Sequence, residues 1–130
     1  MKEKIKVTAA FQVAPEVLYN SWLSSSEHTK FTGSKAVIKP VVGSKFSAWD
    51  GYISGKLQIL EPFKKIVQSW RTTDFPADCP DSILEIRFEK KDKGSKIILM
   101  QSEIPDGQGQ SYKQGWKDFY FLPMKKYFSK

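Results

Sequence analysis

The sequence predicts an α+β fold in which one curved antiparallel sheet wraps around a long C-terminal helix, with two short helices after the first strand. Three observations carry this. A strand-like alternation opens the chain, a series of strand-and-turn segments fills its middle, and an aromatic-rich helical stretch closes it. Runs of strands bracketed by helices imply an α+β domain. A sheet face must be covered, and only the final helix is large enough to cover it.

Residues 3–12 alternate, with Ile5, Val7, Ala9 and Phe11 set against Lys4, Lys6, Thr8 and Ala10, the pattern of a half-buried strand. Pro15 opens the first helix, where a missing N–H costs nothing. Val17, Leu18 and Trp22 supply its apolar face. Ser24 with Glu27 three residues later fits a capping box, and Gly33 fits the stop of that second helix. Strands are expected over 36–39, 44–50, 52–61, 64–73, 82–91 and 95–104. Asp50-Gly51, Glu61-Pro62 and "KKDKG" mark the turns between them. Pro105 to Gly109 reads as a loop, and the last helix begins near Ser111. At the helical angle, Tyr112, Trp116, Phe119, Tyr120, Pro123 and Tyr127 share one gripping face. Pro123 predicts a bend, because proline cannot donate to the carbonyl of Phe119. Residues 1–130 are expected to form one domain.

Totals exclude several function classes. With 40% hydrophobic and 14% aromatic residues, the chain can build a core and is not disordered. No apolar run approaches the roughly 20 residues of a membrane helix, and the N-terminus lacks the apolar block of a signal peptide. The lone Cys79 excludes an internal disulfide and points to the reducing cytoplasm. The net charge of +7 comes from lysines scattered over strand and chain ends, without a basic helix or a nucleic-acid fingerprint. A solvated basic surface is the plain reading; steering towards an acidic protein partner is the sharper one.

No residue set suggests catalysis, a metal or a cofactor. His28, the one histidine, is expected to face solvent near the start of the second helix, without nucleophile context or metal-ligand spacing. Cys79 lies between prolines in a loop, and Gly43, Gly51, Gly55 and Gly94 are spaced as hairpin glycines. The concave sheet face is more informative. Strand alternation groups Phe46 with Ala48, Ile53 with Leu57, and Gln68 and Trp70 with Ile66. It also groups Leu84, Ile86 and Phe88, and places Leu99 and Gln101 with Ile97 and Glu103. Facing Trp116 and Tyr120 of the helix, these residues would line an apolar space with a few polar groups, suited to a small hydrophobic ligand. A fully packed core and a small cavity both stay open. Trp49 has the opposite parity to Phe46 and is expected on the sheet's outer face, either as a partner anchor or packed on an adjacent side chain at the sheet's back. Phe121 and Phe128 fall opposite the gripping face and are expected as an exposed apolar spot or as a contact with a second copy of the chain.

The ordered segments "PEVLYNSW", "FTGSKAVI", "GSKFSAWDGYISG", "EPFKKIVQSWR" and "QGWKDFYF" resemble the C-terminal domain of the activators of the ninety-kilodalton heat-shock chaperone ATPase, within the START-like superfamily. The similarity runs over about residues 8–128. It implies a helix-grip fold, docking on a heat-shock chaperone as a co-chaperone-like, non-enzymatic binding domain, and no cofactor. In that family ATPase stimulation also uses a separate N-terminal domain with an Asn- and Trp-rich motif, so the resemblance carries docking further than stimulation. Stand-alone relatives imply the alternative, binding or transport of a small hydrophobic ligand between sheet and helix.

Overall fold

Alternating burial decides where each strand looks, and it is clearest in the middle of the sheet. In the computed structural model, which describes residues 2–129, strand β5 (Ser82–Lys91) buries Ser82, Leu84, Ile86 and Phe88 on one face. Its neighbours follow the same period of two. Strand β4 (Lys65–Thr72) buries Ile66, Gln68, Trp70 and Thr72, and β6 (Gly94–Ile104) buries Ser95, Ile97, Leu99 and Gln101. With β1 (Glu3–Phe11), β2 (Lys45–Ala48) and β3 (Ile53–Glu61), they form a six-stranded antiparallel sheet in the order β1-β6-β5-β4-β3-β2.

Two short helices connect β1 to the rest. Pro15 starts α1 (Pro15–Trp22) at its first turn, and α2 (Ser25–Thr32) is capped as expected. The Ser24 hydroxyl accepts the N–H of Glu27 at 3.2 Å, and Gly33 closes the helix at φ 81°. In α1, Tyr19 takes the buried place expected of Val17, which is 42% exposed. The expected strand over 36–39 is reduced to an isolated bridge between Val37 and Ser47, because Pro40 follows without an N–H to continue the ladder. The expected strand over 44–50 stops at Ala48, since Trp49 and Asp50 adopt left-handed backbone at φ 53° and 56°.

The C-terminal helix is the element that differs most from expectation. It comprises α3 (Gly109–Gly115), a π-helical segment (Trp116–Phe121) and α4 (Leu122–Tyr127). The N–H of Leu122 reaches back five residues to the carbonyl of Lys117. Pro123 follows this π segment directly and falls in the first turn of α4. A π segment holds more residues per turn than 3.6, so every position beyond Trp116 turns away from its α-helical phase. Tyr120, Phe121 and Met124 are buried, whereas Phe119 is 59% exposed. Phe121 is therefore no exposed apolar spot: its ring packs edge-on against Phe11 at 6.1 Å. Phe128 is half-buried and packs on Phe11 and Phe31.

One hydrophobic cluster lies between the concave sheet face and the helices. Strands β3 and β4 approach closely at Gly55, which pairs with Phe46 on β2. A Cβ there would stand 1.9 Å from the carbonyl oxygen of Ser69 and 2.8 Å from the Phe46 ring. Gly55→Ala should therefore destabilise the fold by about 1–3 kcal/mol, the usual range for forced overpacking, and the denaturation midpoint measures it. A midpoint equal to that of the unsubstituted protein would mean that β3 and β4 separate there at no cost.

Candidate functional site

Large aromatic residues bring polar tips into the core, and each tip must find a partner. The indole N–H of Trp22, at the end of α1, donates to Oε1 of Gln68 on β4 at 3.2 Å. The indole N–H of Trp116 donates to Oε1 of Gln101 on β6 at 2.9 Å. Gln101 in turn donates to the Ser82 hydroxyl at 3.0 Å, and Ser82 donates to the Trp70 carbonyl at 2.6 Å. Among the described residues no buried side-chain N or O lacks a partner. The two glutamines expected to pin a ligand are both engaged by tryptophans.

His28 is drawn into the same network. It is 2% exposed, not solvent-facing as its place in a short helix suggested, because α2 packs beneath Trp22 and against the C-terminal helix. Its Nδ1 lies 2.9 Å from the Trp22 carbonyl, which can only accept, so the ring proton belongs there. Nε2 is then an acceptor, and the Tyr120 hydroxyl donates to it across 2.8 Å. Burial holds the imidazole well below its ordinary range, from 6.5 down to about 4, against the opposing effect of the Trp22 carbonyl. Burial likewise drives the Tyr120 hydroxyl upwards, so it stays a donor.

The space between sheet and helix is consequently almost closed. A void of about 10 Å³ remains beside Trp22, His28, Phe46, Leu57, Gln68, Trp70 and Tyr120, about the size of one water. Leu84, Ile86, Phe88 and Leu99 are at most 5% exposed and pack into the core. A larger space of about 290 Å³ opens at the rim. Trp49, Tyr52 and Ile53, around the β2–β3 turn, form one wall. Ser111, Tyr112, Gly115 and Phe119 form the other, over a floor of Trp70, Trp116 and Tyr120.

The structure thus divides the expected ligand residues. Phe46, Leu57 and Gln68 border the small void, and Ile53 and Trp116 line the open groove. Trp70 and Tyr120 touch both spaces. Trp49 is not on the outer face. Its left-handed backbone takes it out of the strand alternation, and its ring packs edge-on against Phe119 at 5.8 Å and near Tyr120 at 6.3 Å. Glu103 also leaves the concave face. It sits at φ 60° where the β1–β6 register shifts, and Ile104 is buried in its stead. Sequence reading missed the groove's Tyr52, Ser111, Gly115 and the outward turn of Phe119. The cluster of aromatics on either side of Asp50-Gly51 was the available signal.

A family model described as "Activator of Hsp90 ATPase homolog 1-like protein" matches residues 12–129. The human "Activator of 90 kDa heat shock protein ATPase homolog 1" is 29% identical over 125 residues, which are 96% of this chain and 37% of the human one. The Dictyostelium discoideum homologue is 29% identical over 114 residues, 87% of this chain and 30% of that one. The chain thus spans just over a third of the length of these curated relatives at most. Among solved structures, an HSP90 activator from Plasmodium falciparum matches with a TM-score of 0.88 and 27% identity, over 97% of this chain and 96% of that one. The Aha1 dimer from Colwellia psychrerythraea shares the fold, with a TM-score of 0.82 at 16% identity over 97% and 96% of the two chains.

The His28 geometry makes stability depend on pH. The unfolded imidazole takes its proton near 6.5 and the folded one only near 4. The stabilisation is present above 6.5 and is lost as pH falls towards 4, an effect on the order of 3 kcal/mol. In His28→Leu that part of the pH dependence should vanish, as read by denaturation midpoints across the window. Identical slopes in both proteins would exclude the buried neutral imidazole. Separately, Gln68→Leu leaves the Trp22 N–H without an acceptor and should cost about 1–3 kcal/mol in chemical denaturation. An unchanged midpoint would show that this N–H is satisfied elsewhere.

Proposed function

This chain belongs to the Activator of Hsp90 ATPase homolog 1-like family, and we propose that it is a non-enzymatic, co-chaperone-like domain that docks on an Hsp90-type chaperone in the cytosol. The match over residues 12–129 carries this reading, together with a similar Plasmodium structure of nearly the same extent that is described as an HSP90 activator. The near-closed interior supports a protein partner over an enclosed carrier cavity, since its polar groups are already engaged by Trp22 and Trp116. The single histidine serves the fold through both ring nitrogens, which favours binding over acid–base chemistry. No described helix is long and apolar enough to cross a membrane. Docking is the role assigned here; ATPase activation is what the names of the much longer curated relatives describe.

The net charge of +7 sets how docking should behave. Long-range attraction between exposed charges is screened beyond about 8 Å at physiological ionic strength. The association rate with an immobilised Hsp90-type chaperone should therefore fall steeply as salt rises, with a much smaller change in dissociation. Absence of binding at low salt would overturn the docking role.

A further inference from the structure

We propose that the open groove between the β2–β3 turn and the C-terminal helix is a binding site for a small organic ammonium ion with an apolar or aromatic body. The groove, about 290 Å³, is near the lower end for small-molecule sites, and seven of its ten lining residues are aromatic. Aliphatic lining, suited to an acyl chain, is limited to Ile53.

The rings stand as corners of a box. Trp49 meets Phe119 at 74° and Trp70 meets Tyr112 at 81°, with centroids 5.8 and 5.0 Å apart. Such corners offer both ring faces and ring edges, and the faces carry the negative part of the ring quadrupole that attracts cations.

Charge agrees with this. The chain has 21 lysines and arginines, yet none lines the groove. A carboxylate lies behind one wall instead, outside the lining itself: the Tyr52 hydroxyl donates to Asp74 at 2.6 Å. The facing Tyr112 is fixed by Thr72 at 2.7 Å and Gln108 at 2.6 Å, and Gln108 also donates to the Asp74 carbonyl at 3.0 Å. Burial first, then Asp74, pushes the Tyr52 hydroxyl up to about 12, so it remains a neutral donor at physiological pH. A partly desolvated cation would thus meet ring faces, with one carboxylate behind them and no competing ammonium group on the walls. The site differs from an enclosed lipid cavity in being open and aromatic.

The test is a titration of the full chain with benzyltrimethylammonium, followed by aromatic NMR shifts and indole fluorescence. Its neutral carbon isostere, neopentylbenzene, is titrated in parallel. Saturable shifts at Trp49, Tyr112 and Phe119 are expected for the cation, with binding at least tenfold weaker for the isostere. Asp74→Asn keeps an acceptor for Tyr52 and should weaken the cation severalfold without moving the melting midpoint. Phe119→Ala removes a ring that is 59% exposed and should abolish the shifts in a folded protein. Absence of saturable binding, equal affinity for the isostere, or an Asp74→Asn protein that binds the cation as well as the parent would overturn the proposal.

Discussion

The demand that every buried indole N–H find an acceptor organises this molecule. Trp22 and Trp116 are each 3% exposed, and each reaches a glutamine on the concave sheet face. An unpaired N–H at this depth would cost about as much as a lost hydrogen bond or more. The two bonds therefore fix how the first helix and the last helix sit on the sheet. Around them the aromatic rings pack at near-perpendicular and tilted angles, with Trp22, Trp116 and Tyr120 in mutual contact.

That solution has a consequence for function. Groups that could have gripped a ligand inside the fold instead grip one another. His28 completes the network by joining the Trp22 carbonyl to the Tyr120 hydroxyl, which ties α2 to the C-terminal helix. An aromatic groove opens at the rim, where a turn with left-handed backbone at Trp49 and Asp50 brings aromatic side chains towards that helix. The polar groups of the interior are engaged with one another.

The π-helical segment performs a similar exchange. Its wider turn places both Tyr120 and Phe121 against the core and releases Phe119 outwards, where it forms a groove wall. It also brings Pro123 into the first turn of a renewed α-helix, a position that proline tolerates. A uniformly α-helical segment would have kept Phe119 on the gripping face and Phe121 off it.

By itself the sequence determined the sheet and its inner face. The alternation of Leu84, Ile86 and Phe88, and of Ile97, Leu99 and Gln101, is a period of two that any strand must obey, so burial followed from spacing alone. Ser24 and Gly33 were equally legible, because caps are local chemistry. Tertiary structure alone decided the positions where the local period breaks. Trp49 lies one residue beyond its strand, Glu103 sits at a register shift, and Phe119 and Phe121 follow a helix that widens at Trp116. Past such a break, parity and helical angle say nothing, and a side chain goes where a distant element offers it a partner. His28 is the clearest instance: nothing near it in the chain foretells Tyr120, 92 residues away, donating to its ring nitrogen.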